Sequence, residues 1–230
     1  MKFTRTNDMG AHFLKILVQG QAGAGKTRLC ATTGDPAETI IISAEGGLLS
    51  LRDSNLTAIE IKSQDELSDA YRWVTESDEA RGIRWVCIDS LSEIAEQVLS
   101  HEKARTKDGR KAYGEMQDIM AKMIRGFRDI PGKHVYMSCK TERIQTETGA
   151  LLWSPSMPGN KLSQQLAYFF DEVAFLHAKL DTEKNEVQRW LQCHPDGTFV
   201  AKDRSGALEI YETPNLEAIK TKILGDKNNG

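Results

Sequence analysis

Apolar positions in this chain take two forms: short runs about one strand long, and stripes whose members stand three and four residues apart. The segments Phe13–Val18, Thr39–Ser43, Trp85–Ile88 and His134–Ser138 are of the first kind and predict buried strands. The stripes predict helices. Leu67, Ala70, Tyr71 and Val74 follow the capping box Ser63-Gln-Asp-Glu66; Leu91, Ile94, Ala95, Val98 and Leu99 form a second face. Met116, Ile119, Met120, Met123, Ile124 and Phe127 form a third, closed by Pro131-Gly132. Further on, Asp171–Leu180 and Gln188–Cys193 read as strands. The turn Pro195-Asp-Gly197 is expected to join the latter to Thr198–Ala201 as a hairpin, before a closing helix marked by Leu216, Ile219, Ile223 and Leu224. Strands that alternate with helices predict an α/β fold: a mostly parallel twisted sheet flanked by helices, with a C-terminal antiparallel extension. One domain over 1–230 is expected, with an N-terminal arm over 1–9 and a flexible tail over 225–230.

Composition narrows the class. The 230 residues are 40% hydrophobic and 27% charged, ordinary for a globular chain with one sizeable core. No stretch approaches the roughly 20 apolar residues that span a bilayer, and Met1–Gly10 carries no apolar run of a signal peptide. Together these predict a cytoplasmic protein with no membrane partner. Cys30, Cys87, Cys139 and Cys193 show no paired spacing, and three of them lie among apolar or small residues, which predicts buried, reduced thiols; Cys193-His194 has no partner pair for a metal. The net charge is −3, so any nucleic acid must be held by local basic segments rather than by the field of the whole molecule.

The most specific chemistry lies early. Gly20-Gln21-Ala22-Gly23-Ala24-Gly25-Lys26-Thr27 fits GxxxxGK[ST] in full, between an apolar strand and a predicted helix. Glycines let backbone amides surround the β- and γ-phosphates, Lys26 adds a point charge, and the Thr27 hydroxyl is a ligand for magnesium. Asp89 ends the strand Trp-Val-Cys-Ile-Asp, a place for a carboxylate that holds the same ion. Ser90, not glutamate, follows it. Instead Glu45 stands just beyond the strand Thr39–Ser43, where a carboxylate can orient a water toward the γ-phosphate and take its proton. These residues imply ATP and Mg2+ as cofactors.

With those residues in place, the chain resembles the RecA family of ATPase cores. Ile-Ile-Ser-Ala-Glu45-Gly-Gly-Leu is similar to the strand carrying that family's catalytic glutamate, and Cys-Ile-Asp89-Ser90-Leu to its magnesium strand. Pro158-Gly-Asn-Lys-Leu resembles the stretch beyond the family's second DNA-binding loop, and Lys202-Asp-Arg204 the basic pair that enters a neighbouring subunit's nucleotide site. The runs 107–114 and 155–161 are most similar to short phage-encoded members, some of which act in single-strand annealing recombination. One departure is that the strand ending Ser138-Cys139 lacks the family's Asn-Gln; Lys140 is a candidate substitute.

The resemblance implies DNA contacts on two segments. Lys103, Arg105, Lys107, Arg110 and Lys111 fall where the family has its first DNA loop. Lys140, Arg143 and Trp153 fall in or beside the second, over 141–156, with Trp153 a candidate for base stacking. The reading is a DNA-stimulated, Mg-dependent ATPase on single-stranded DNA, forming a head-to-tail homo-oligomer as ring or filament, with a single-stranded-DNA-binding protein as a further partner class. Glu45, Lys26, Lys202 and Arg204 would be its catalytic residues. Two alternatives stay open: a nucleotide-gated protein-interaction module without DNA, and a small-molecule phosphotransferase.

Overall fold

The computed structural model describes residues 13–146 and 149–225. The N-terminal arm expected over 1–9, and all of the expected tail except Gly225, lie outside them. The parallel strands are β1 (Lys15–Gln19), β2 (Thr39–Ser43), β3 (Thr57–Glu60), β4 (Trp85–Asp89), β5 (His134–Gln145) and β7 (Glu172–Asp181). β6 (Leu151–Ser156), β8 (Glu186–Gln192), β9 (Lys202–Asp203) and β10 (Tyr211–Glu212) pair antiparallel with their neighbours. The order across the sheet is β10-β8-β7-β1-β5-β4-β2-β3, with β6 beside β5 and β9 beside β7. The fold is therefore a mostly parallel mixed sheet with flanking helices and antiparallel strands at its C-terminal end. β5 lies between β1 and β4, which brings the ends of all three strands to one edge.

Six helices pack on the sheet among the described residues: α1 (Lys26–Leu29), α2 (Gln64–Glu76), α3 (Leu91–Arg105), α4 (Gly109–Arg128), α5 (Asn160–Leu166) and α6 (Leu216–Leu224). Period-two alternation along β1 explains the two layers. Leu17 faces the layer of α2, α3 and α4, with Leu67, Ile94, Met116, Met120 and Phe127, while Ile16 and Val18 face the layer of α1 and α6, with Leu29, Leu216 and Ile219. Burying each of these apolar side chains contributes about 1.5–3 kcal/mol. The predicted cap of α2 is present: Ser63 accepts from the Glu66 amide at 3.2 Å, and Glu66 reaches back to the Lys62 amide at 2.6 Å. All four cysteines are buried and unpaired.

Several expectations are corrected. The Pro195–Gly197 turn does not lead into a hairpin with β8. Asp196 accepts from the amides of Thr198 and Phe199, and the chain then runs against β6, where Trp153 donates to Thr198 O at 2.7 Å and Val200 to Trp153 O at 2.8 Å. The free side of β8 pairs with β10 instead. The segments expected to form the two DNA loops, around Lys103–Lys111 and over 141–156, are also largely regular structure among the described residues. α3 runs on to Arg105 and α4 starts at Gly109, so only a three-residue corner, Thr106–Asp108, separates them. Asp108 caps α4 by accepting from the amides of Arg110 and Lys111. The strand expected to end at Ser138 extends to Gln145 and returns as β6 in an antiparallel hairpin.

Candidate nucleotide-binding site

The loop Gly20–Gly25 leaves the carboxyl end of β1 and enters α1. Gly20 is required by close approach: a Cβ there would stand 3.0 Å from the Leu176 carbonyl of β7. Gly25, at φ +108°, turns the chain into the helix through a conformation that other residues resist. α1 is four residues long, followed by a 3-10 turn over Cys30–Thr32, so the helix expected behind the loop is short. Its dipole is correspondingly small, and the loop amides and Lys26 carry most of the positive field. Tyr136, buried in β5, donates to Lys26 O at 2.8 Å and fixes the start of the helix against the sheet. Lys26 Nζ spans the loop, donating to Gly20 O at 2.8 Å and Gln21 O at 3.0 Å. Burial lowers its pKa below the usual lysine value, a shift opposed by Asp89 and Glu45 among its neighbours.

Neighbouring strand ends complete the site. Thr27 Oγ1 donates to Asp89 Oδ2 at 2.6 Å, and Ser138 of β5 donates to the other carboxylate oxygen, Oδ1. Ser90, joined to Asp89 by a cis peptide, donates to Glu45 Oε1. Glu45 is exposed two residues past β2, whose Ser43 is in register with Asp89. Magnesium fits this donor set. Thr27 and Asp89 offer adjacent hard oxygens, and no cluster of three or more His, Cys, Asp or Glu for an all-protein cage occurs among the described residues. Such a pair suits an ion that takes its remaining ligands from phosphates and water.

The structure thus brings together the whole of Gly20–Thr27 with Glu45 and Asp89. Lys140 joins them: it follows the buried part of β5, pairs with Glu93 at 3.0 Å and stands within electrostatic range of Lys26 and Glu45. Its pKa is raised, chiefly by the hydrogen bond to Glu93. Lys202 and Arg204 are elsewhere. Lys202 pairs with Val173, itself in register with Leu17, at the amino edge of the sheet; its Nζ donates to Ala167 O at 3.0 Å. Arg204 is paired with Asp171. Neither belongs to the nucleotide site of its own chain.

The candidate DNA residues stand on the phosphate-loop side of the sheet. α4 has 20 residues and spans about 30 Å. Its far end meets the amino edge, where Arg128 donates to Phe169 O, so its start projects beyond the carboxyl edge; Tyr113 and Gln117 there flank Gly159. Lys103, Arg105, Lys107, Arg110 and Lys111 are all exposed around that corner, although Arg105 is bonded to buried Glu102 at 3.1 Å and Lys103 lies 5.1 Å over the Tyr113 ring. Arg143 and Trp153 face each other across the β5–β6 hairpin. Trp153 is half-buried, with the Arg143 guanidinium 5.5 Å over its ring and Phe175 at 6.3 Å, so it is a packed residue and not a bare stacking platform.

Sequence reasoning missed Ser138 as a partner of Asp89, Tyr136 as the anchor of α1, and Arg189. Arg189 of β8 donates through Nε to Ala24 O at 3.0 Å and lines a cleft of about 500 Å3 with Gly25, Arg28, Thr32, Leu51 and Pro214. No local sequence signal announces it, because it reaches the loop from 165 residues away.

A family model described as AAA domain matches residues 12–205 of the chain. Among solved structures, a KaiC-like protein from the hyperthermophilic archaeon Pyrococcus horikoshii is similar, with 14% identity and a TM-score of 0.46 over 78% of this chain and 79% of that one. No curated protein matches the sequence.

Proposed function

Since the chain belongs to the AAA domain family of P-loop proteins, we propose that it is a magnesium-dependent ATPase that works on single-stranded DNA. The observation that carries the hydrolytic part is the convergence of Thr27, Asp89, Ser138, Ser90 and Glu45 at one edge of the sheet, around Lys26. ATP would lay its β- and γ-phosphates in the Gly20–Gly25 amides and its nucleoside end in the cleft beside Arg28 and Pro214. Bound at Thr27 and Asp89, magnesium would neutralise charge on the β- and γ-oxygens. Glu45, oriented by Ser90, takes a proton from the attacking water while Lys26 stabilises charge on the phosphoryl oxygens. The bond from γ-phosphorus to the bridging oxygen breaks, and ADP and phosphate leave.

The DNA reading is supported by placement. An exposed basic corner and the β5–β6 hairpin stand at the same end of the molecule as the phosphate loop. Lys140 at the foot of the hairpin lies near Glu45, so a strand held above it could report to the water-activating group. The residues suit sequence-independent backbone contact of the kind used in strand annealing and recombination, the role of the phage-encoded proteins that the sequence resembles. A head-to-tail ring or filament would set the amino edge of one sheet, with Lys202 and Arg204, against the carboxyl edge of the next. For that, both cations must leave Ala167 and Asp171. The test is ATP turnover with magnesium, measured with and without oligo-dT. Stimulation by the oligonucleotide is expected. Turnover without oligo-dT binding would favour a nucleotide-gated module, and no turnover would refute the ATPase.

A further inference from the structure

Resting on the reading that the loop binds a nucleoside triphosphate, we infer that Arg189 is a nucleotide-binding residue of the same chain, holding the α-phosphate where the triphosphate passes from the loop into the cleft. Three observations lead there. First, Arg189 is half-buried, yet no carboxylate lies within ion-pair distance of it among the described residues. With no carboxylate beside it, its charge is open to an incoming anion, and a guanidinium suits a phosphate. Second, its guanidinium bonds among the described residues run from Nε to Ala24 O at 3.0 Å and from Nη1 to Val187 O at 3.3 Å. Of five guanidinium N–H donors, the remainder can turn to a ligand. Third, Gly25 makes room for it: a Cβ at Gly25 would stand 3.2 Å from Arg189 Nε.

Polarity of the bound nucleotide then selects the atom. Lys26, Thr27, Asp89 and Glu45 gather at one side of the loop and define the β,γ end. The cleft is lined by Gly25 and Arg28 with Thr32, Ser54 and Pro214, and by none of those four residues. Arg189 lies where the two meet, so the first phosphate outside the loop falls to its guanidinium. Alternation along the hairpin puts it there: Arg189 pairs with Ala178 and shares the α1 side of the sheet with Leu176 and Leu191, while Trp190 and His177 stack on the opposite side, 4.9 Å apart.

The experiment is titration calorimetry of the full chain with magnesium and ATPγS, ADP or AMP, on the unaltered protein, Arg189→Ala and Arg189→Lys, together with steady-state turnover. An α-phosphate contact predicts that Arg189→Ala weakens all three ligands by a similar factor, roughly tenfold or more, the usual size for removal of a charged hydrogen bond. KM should rise with kcat nearly unchanged, and Arg189→Lys should recover part of the affinity. If Arg189 only braces the loop, Arg189→Ala will melt lower without ligand, bind all three as the unaltered chain does, and overturn the inference while the ATPase reading stands. A loss confined to ATPγS would also overturn it, placing the guanidinium at the γ-phosphate. Failure of the unaltered chain to bind any of the three overturns both. Should Arg189→Ala not fold, Arg189→Lys carries the same comparison of ligands.

Discussion

Glu172 offers a stability test at the amino edge of the sheet, far from the phosphate loop. Its side chain is buried against Asp203, its Oε1 accepts from the Ser205 amide, and its Oε2 has no donor. Burial, then the hydrogen bond and charge of Asp203, with a smaller effect from Asp171, raise its pKa from an ordinary 4.5 to about 7. Asp203 moves the other way: burial opposes its charge, but bonds from Ser205, Leu208 and Glu172 outweigh that and hold it below the usual range. The folded state therefore keeps a proton on Glu172 that the unfolded chain releases. The stability this confers is complete below about pH 4.5 and is lost as pH rises through about 7. Fully ionised, the group costs the fold at most about 3–4 kcal/mol, at ~1.4 kcal/mol per pH unit of offset. Glu172→Gln keeps the shape, remains neutral at every pH and can still donate to Asp203. In thermal melts by circular dichroism from pH 4.5 to 8, the variant should match the unaltered protein at the acid end. It should gain Tm progressively to pH 8, by up to roughly 7–14 °C for a chain of this size. Other titrating groups are common to both proteins and cancel in the difference. A Tm difference that stays constant with pH would refute the shared-proton account of this pair.

Thr27→Val preserves volume and removes a hydroxyl bonded to Asp89; calorimetry should show ATPγS binding weakened about tenfold with magnesium present and little changed in EDTA. Replacing Lys103, Arg105, Lys107, Arg110 and Lys111 with Ala should lower oligo-dT affinity and flatten its log–log salt dependence, by about 0.7 for each phosphate that the variant no longer neutralises. Equal slopes before and after would return the corner to a solvated charged surface. Lys202→Ala/Arg204→Ala protein and Lys26→Ala protein should each be inactive alone and recover part of the turnover when mixed, since adjacent subunits would rebuild complete sites. Full activity of the double variant by itself would confine those two cations to their bonds with Ala167 and Asp171.

Local rules carried the sequence reading where they were strong, and distance defeated it elsewhere. β2 was legible to the residue because Thr-Ile-Ile-Ile-Ser is buried throughout, and α2 because Ser63 and Glu66 mark its start. The phosphate loop and Asp89 were legible because spacing along one chain specifies them. β3 was missed: Thr57-Ala-Ile-Glu60 is a four-residue edge strand with no residue fully buried. β6 was missed because Pro155 interrupts its pattern and its partner, the polar half of β5, reads as a loop. The Pro195–Gly197 turn was recognised, but turn chemistry fixes only where a chain bends, not which strand receives it. Ser138 and Arg189 were invisible as site residues, since each acquires its role from a partner 49 or 165 positions away.

Hydrolysis at the Gly20–Thr27 loop, with Glu45 as the base, is the step on which the proposed function stands. The decisive measurement takes ATP binding and single-turnover hydrolysis together, under one buffer with magnesium, for the unaltered chain, Lys26→Ala and Glu45→Gln. Lys26→Ala is expected to lose binding, and Glu45→Gln to bind as tightly as the unaltered chain while its hydrolysis falls by a factor on the order of 10² or more. Hydrolysis undiminished in Glu45→Gln, or binding undiminished in Lys26→Ala, would contradict it.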